Sequence, residues 1–395
     1  MLRKIRNRRN DIQKGVWNQG MAVVMMAIIA LGFSVTSCGK GSKTHNDGEH
    51  QMMPLKYAEF LKIKEYDGYK EVTIRNPWDS TKILHKYVLV PKDADLPSNL
   101  PKGDLIRTPV KNTLVYSTVH AGLIKELGAM DAIGGMCGTE YVNDPDLRQL
   151  IVEGKIADCG STQTPVIERI IKLQPEAILL SPYENDDKYS KTGELGIPII
   201  EGADYMETSP LGRAEWVRFY GMLFGKEAEA DSMFSDTERK YLDLKAKAAT
   251  AATKPKVLMD QRYGSVWYVP GAESTTAKII ADAGGINPFD YIKKAGSESL
   301  SPEKVLYEAH DADIWFIKYF QDRDKTMAEF AKDVPMNAQF KAFKEGNVYG
   351  CNTKAVNFFE ETPYHPDRLL KDYISLMHPE LNVGNGGHHY FKKLK

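Results

Sequence analysis

Residues 226–253 contain neither proline nor glycine, and positions Ala230, Met233, Phe234, Thr237, Tyr241, Leu244 and Ala248 recur at steps of three and four. That is the period of one helix face. At 1.5 Å per residue these 28 positions make a rod of about 40 Å, long enough to brace two lobes, although an ordinary surface helix between two sheets has the same pattern. Just upstream, Ser209 and Pro210 start a helix over 210–224 that Gly225 ends.

The rest of the chain divides around this pair. Residues 57–91 read as β, with alternation over 71–75, a turn at Asn76-Pro77-Trp78-Asp79 and a return over 83–90, which predicts a leading hairpin; a proline-bearing connector follows over 95–101. Apolar strands are then expected at 112–117, 132–137, 177–180 and 197–200, with helices over 120–127, from near 146, and over 166–173, the last capped by Thr164 and Pro165. After the long helix the plan repeats, with strands at 256–260, 313–317 and 347–349 and helices at 274–283, 301–307 and 366–377. Such alternation is the mark of parallel βα units. The fold class expected is α/β: two Rossmann-like lobes with mainly parallel sheets, 55–208 and 255–395, joined by connecting helices over 209–254 that include a long rigid backbone helix. A chain of 395 residues is also too long for one typical core.

The N-terminus reads differently. Arg3, Lys4, Arg6, Arg8, Arg9 and Lys14 precede an apolar run over 21–35, and Val35-Thr36-Ser37-Cys38-Gly39 follows. The apolar run is short for a permanent span and ends in small residues before a cysteine. It resembles a bacterial lipoprotein signal, which implies removal of residues 1–37 and acylation of the Cys38 thiol, with 38–54 as a flexible tether. Val35 stands where that pattern prefers Leu; a plain secretory signal and a single membrane anchor are the other readings. The expected location is the periplasm of a bacterium, on a membrane. Loss of 1–37 takes six basic and one acidic side chain from totals of 52 and 53, leaving a charge near −6 that argues against nucleic acid as partner. Cys137, Cys159 and Cys351 then remain; a Cys137–Cys159 disulfide and separate buried thiols are both compatible with their spacing.

Five stretches in order carry a wider resemblance: Tyr116-Ser117-Thr118 with Leu127-Gly128, ERIIKLQPEAILL over 168–180, Leu211-Gly212-Arg213-Ala214-Glu215-Trp216, TTAKIIADAGG over 275–285, and Pro366-Asp367 with Leu369-Leu370-Lys371-Asp372. Across about 110–382 the chain resembles the substrate-binding proteins of ABC importers for iron-siderophores, haem and cobalamin, the helical-backbone class of periplasmic binding proteins. The N-terminal β segment and the tail Gly386-Gly387-His388-His389 lie outside that pattern. The resemblance implies a monomer that hands an iron chelate, haem or cobalamin to a permease dimer, with no resident cofactor beyond the iron or cobalt of its ligand. It also implies that Glu168 and Glu303 dock on the permease. Their place in first helical turns, where a carboxylate complements the macrodipole, is the alternative reason for both.

In open α/β lobes ligands sit beyond the carboxyl ends of the strands. The loops there offer Ser117, Thr118, His120, Tyr141, Ser181, Tyr183, Asp204 and Tyr205 from the first half, and Gln261, Arg262, Trp267, Tyr268, Tyr319, Asn352 and Phe358 from the second. Rings tipped with hydroxyls suit a large, flat, partly apolar ligand. The resemblance makes Tyr141 a candidate haem-iron ligand, since haem-binding members place a tyrosine in that loop. For anionic ferric siderophores an arginine basket is needed, and Arg262 alone answers to it.

Other classes are less well served. A zinc or manganese importer protein needs converging histidines and carboxylates, and His120, His310, His365 and His378 show no pair at helical ligand spacing. A secreted hydrolase would be marked by G-x-S-x-G, H-E-x-x-H or a phosphate loop, and none occurs. A lipid-anchored adhesion or scaffold module leaves the strand-end aromatics without a task.

Overall fold

The computed structural model describes residues 50–184, 190–384 and 390–395. The leader 1–37, Cys38, most of the tether and His388-His389 lie outside the described residues.

The first lobe is built on a five-stranded parallel sheet with spatial order Ile199–Glu201, Ala177–Leu180, Thr113–Val115, Ile133–Met136, Ala157–Asp158. Thr113–Val115 and Ala177–Leu180 are buried throughout, as expected of strands covered on both faces. The strand that comes first in sequence lies in the middle. Connections therefore leave it in opposite directions, and the crevice beyond its carboxyl end is a topological switch point. In the second lobe Val257–Met259, Ile314–Tyr319 and Val348–Asn352 run parallel, and Lys392–Lys393 closes the edge antiparallel.

Two further sheets depart from expectation. The leading segment is not a simple hairpin but a five-stranded sheet of Gln51–Met52, Leu61–Tyr66, Tyr69–Arg75, Ile83–Pro91 and Asp104–Thr108, the last parallel to its neighbour. Its inward residues Leu61, Ile63, Val72, Ile74, Tyr87, Leu89 and Ile106 share the core of the first lobe with helix Val217–Phe224. The second is an antiparallel pair, Trp267–Pro270 with Ser297–Leu300. Between sheet and helices, residues 56–60 present five successive backbone N–H groups to two buried carboxylates. Glu215 accepts those of Lys56, Tyr57 and Ala58 at 2.9, 2.8 and 2.9 Å, and Glu207 those of Glu59 and Phe60 at 2.9 and 3.0 Å. Glu207 also accepts Trp216 Nε1–H at 2.8 Å, and its burial raises its carboxyl pKa. These charge-assisted bonds stand in for a missing strand partner.

The long helix is Glu227–Ala248, 22 residues or about 33 Å. It stops five residues short of the expected end, where Ala249 caps it and the Thr250 hydroxyl donates to the Lys247 carbonyl at 2.7 Å. Ala230 and Phe234 belong to the core of the first lobe, Tyr241 and Ala248 to that of the second. One helix is thus committed to both cores, at about 1.5–3 kcal/mol for each large side chain buried. The upstream helix is broken at Trp216 into Pro210–Glu215 and Val217–Phe224; Ser209 caps the first, accepting from Gly212 N at 3.0 Å. Among the described residues no helix is long and apolar enough to cross a membrane.

Candidate functional site

The loops at the switch point form one wall of a cleft. Tyr116 follows the central strand, held by its N–H to the Leu179 carbonyl at 3.0 Å. Ser117 caps helix Thr118–Glu126, its Oγ accepting from Val119 N at 3.2 Å. After Ile133–Met136, Gly138 turns the chain at φ +70°, a left-handed position that favours glycine, and delivers Tyr141, 59% exposed. After Ala177–Leu180 come Ser181 and Tyr183. A cavity of about 470 Å³ is lined by Tyr116, Ser117, Thr162, Gln163, Ser181 and Tyr183 among others. A second, of about 360 Å³, shares Tyr116, Ser117 and Thr162, adds Thr118, Tyr141 and Asn143, and is closed from the second lobe by Phe320, Thr353, Phe359 and Glu360. The shared residues make them one cleft between the carboxyl ends of both sheets.

The second wall corrects the sequence reading by one residue, three times. Tyr319, Asn352 and Phe358 are 9%, 5% and 8% exposed and face the core; Phe320, Thr353 and Phe359 line the cleft. The Tyr319 hydroxyl accepts from Lys325 N at 3.0 Å, Asn352 Nδ2 donates to the Gln321 carbonyl at 2.9 Å, and Phe358 packs edge-on against Tyr390 and Phe391. Past a strand end successive side chains point to opposite sides, and at the start of helix Phe358–Glu361 they lie about 100° apart, so an aromatic paired with its neighbour in sequence cannot be assigned a side from the sequence.

Other expected residues are placed elsewhere. His120 is buried on helix Thr118–Glu126, its Nε2 3.4 Å from Asp204 Oδ1 and 3.2 Å from the Tyr220 hydroxyl, because the helix turns its third residue inward. Asp204 is buried with it; Arg213 Nε donates at 3.1 Å and Tyr220 at 2.9 Å, and although burial raises its pKa, the His120 hydrogen bond and the Arg213 charge hold it below its usual value. Trp267 is fully buried, stacked on Trp315 with Nε1 donating to the Met259 carbonyl at 3.0 Å: it sits in the antiparallel pair, not in a strand-end loop. Tyr268, on the opposite face of that strand, and Arg262 are exposed and outside the two cavities. Tyr205 is half-buried, its ring 6.0 Å from Tyr183 and its hydroxyl donating to the Pro182 carbonyl, so it backs the wall. Gln261 is held by the Lys318 carbonyl at 2.9 Å. Ser117, Thr118, Tyr141, Ser181 and Tyr183 are the predicted residues that the fold gathers.

Glu360 is the charged member of the lining. Gly122 of helix Thr118–Glu126 lets helix Phe358–Glu361 come close, since a Cβ there would lie 3.0 Å from Glu360 Cβ. Burial raises the Glu360 pKa, a Thr118 hydrogen bond opposes this, and Glu361 and Asp144 add to the rise. Across the same seam Asn143 Nδ2 donates to the Thr353 carbonyl at 3.1 Å. Among the described residues no group of three or more His, Cys, Asp or Glu is placed to hold a metal ion.

Glu168 and Glu303 are both exposed and both the second residue of their helices, Ile167–Leu173 and Pro302–Ala309. Ser301 caps the second as expected, but Val166 stands at the first cap and Thr164 bonds to Ser161 instead, at 2.7 Å. Cys137, Cys159 and Cys351 are free buried thiols; Cys137 Sγ donates to the Cys159 carbonyl at 3.7 Å in place of a disulfide.

The profile of one family, described as periplasmic binding protein, matches residues 115–355. An uncharacterized lipoprotein of Methanocaldococcus jannaschii is 30% identical over 362 residues, covering 86% of this chain and 85% of its own length. An iron-uptake system-binding protein of Bacillus subtilis is 26% identical over 212 residues, 52% of this chain and 63% of the relative. A periplasmic heme binding protein of Pseudomonas aeruginosa, 14% identical, superposes with a TM-score of 0.56 over 72% of this chain and 98% of its own.

Proposed function

We propose, from the premise that this chain belongs to the periplasmic binding protein family and to its iron, haem and vitamin B12 transport type, that it captures an iron chelate, haem or a corrinoid in the interlobe cleft and delivers it to an ABC importer. Proteins of this type are binding proteins rather than enzymes. The observation that carries the reading is the cleft itself. Phe320 and Phe359 share one cavity with Tyr141, Tyr183 lines the adjoining one beyond the carboxyl ends of the first sheet, and both lobes are fastened to one helix. A cavity of this size with rings on opposite walls fits a bulky, partly apolar chelate rather than a bare ion.

The relative named a lipoprotein supports Cys38 as an acylated anchor and the outer face of a membrane as the place of work. Two exposed carboxylates, Glu168 and Glu303, at matching positions of the two lobes support docking on basic side chains of a permease. The exposure of Tyr141 at the cleft edge supports a role for it as ligand to the metal of a bound chelate. The reading is tested by adding ferric siderophores, haemin and cyanocobalamin to the purified protein and following the visible bands and tryptophan emission. A saturable shift with at least one of them is expected; no response to any of them would overturn it.

A further inference from the structure

The cleft's lining is short of one kind of side chain. Among the described residues that line its two cavities are eight hydroxyl-bearing or amide side chains, Thr192 and Thr353 among them, besides the aromatic rings, and one formal charge, the Glu360 carboxylate. Behind Glu360 a smaller cavity of about 260 Å³ carries three more carboxylates, Glu126, Asp144 and Glu361, against two cations, Lys125 and Arg368. Those cations are already engaged: Lys125 with Asp144 and Asp146 at 2.6 and 2.7 Å, Arg368 with Glu361 at 3.0 Å. At the rim Lys354 lies 5.6 Å over the Phe320 ring but is tied to Asp322, and Lys318, beside Phe358, is paired with Asp260 at 2.5 Å. An anionic ligand entering beside Glu360 would lose its hydration, meet that carboxylate, and find Lys125, Arg368, Lys354 and Lys318 each committed to a carboxylate already.

We infer that the cleft selects a chelate without net negative charge, one that turns an amide, hydroxyl or ammonium donor toward Glu360; this rests on the function proposed above and narrows its ligand class. The burial that raises the Glu360 pKa supports the same conclusion, because a carboxylate short of water gains most from a ligand donor. A neutral ferric hydroxamate or an uncharged or cationic corrinoid meets the requirement. A ferric catecholate, with its several negative charges, or haem, with two propionates, does not.

The test uses the full chain in mild detergent and four probes: a neutral ferric trihydroxamate, cyanocobalamin, a ferric tris-catecholate and haemin, titrated by tryptophan quenching at low and high salt. At least one neutral probe is expected to bind about tenfold or more tightly than either anionic one, the order of effect of juxtaposing like charges in a partly desolvated site. Glu360→Gln should narrow that gap and Glu360→Lys should reverse it, with melting curves showing that both variants fold; if the lysine variant does not fold, the glutamine variant decides. Haemin or the catecholate binding as tightly as the neutral probes overturns the inference and leaves the proposed function standing, as does a gap untouched by Glu360→Gln. Failure of all four probes sinks the chelate reading, and this inference with it.

Discussion

His365 of the second lobe lies with Nε2 2.6 Å from Glu126 Oε1 of the first. Arg368 reaches the same carboxylate at 3.8 Å, and Asp367, its pKa pushed up by burial, lies 4.0 Å from the other ring nitrogen. The contact fastens the end of helix Thr118–Glu126 to the start of helix Pro366–Met377, on the far side of Glu360 from the cleft. Glu126→Gln and His365→Ala should each cost about 1 kcal/mol, since Glu126 is partly solvated, and the double variant should cost less than their sum. A double-mutant cycle on denaturant midpoints checks this; strictly additive losses would mean the pair is not coupled.

Ring pairs separate binding from folding. Phe320→Ala, Phe359→Ala and Tyr141→Ala remove exposed cleft rings and should weaken ligand capture by about 1–2 kcal/mol each while barely moving the melting temperature. Trp267→Ala opens a cavity in the second core and should cost about 3–5 kcal/mol of stability. Calorimetry beside ligand titration on the same four proteins makes the comparison.

Asp204 gives an acid-sensitive term. Its folded pKa lies below the ordinary 3.8, so the unfolded chain binds the proton more readily and stability rises with pH. Its contribution is complete above about pH 5 and is lost as pH falls through the folded value. Asp204→Ala should therefore destabilise by about 3 kcal/mol at neutral pH, with Arg213, His120 and Tyr220 left without their acceptor, and the gap to wild type should narrow as the pH falls through the folded pKa of Asp204.

The thiols should be inert in the folded protein. Burial pushes Cys137 and Cys351 up to about 12 and Cys159 up to about 11. Labelling with a maleimide at pH 7 is expected only after denaturation, without added reductant. Reagent uptake that needs reduction first would reveal a disulfide instead.

Reversal of both acids proposed to dock, Glu168→Lys with Glu303→Lys, should abolish uptake in cells while ligand affinity of the purified protein stays within about twofold, because neither side chain lines the two cleft cavities. Normal transport by the double variant would return both acids to the role of helix-end charges.

The sequence by itself determined the elements and their grouping. Apolar strands at 177–180 and 313–317, caps at Ser209 and Ser301, and the glycine stop at Gly225 are local signals, written within a few residues and read from side-chain period and cap chemistry. The β character of 57–91 was legible too, but not that Asp104–Thr108 would join Ile83–Pro91 in parallel, since partners across a connector leave no local mark. Only the tertiary structure decided which side the residues of the strand-end loops and of the short helix Phe358–Glu361 face. Tyr319 and Phe320, or Phe358 and Phe359, are chemically alike and adjacent, and the choice between core and cleft depends on register and on how near Gly122 lets the second lobe approach. The same holds for His120, which a strand-end loop offers to a ligand and the fold gives to Asp204. Period and capping act between neighbours in sequence, whereas the polarity of a cleft is set by groups as far apart as Thr118 and Glu360, which meet only when both lobes have closed on the shared helix.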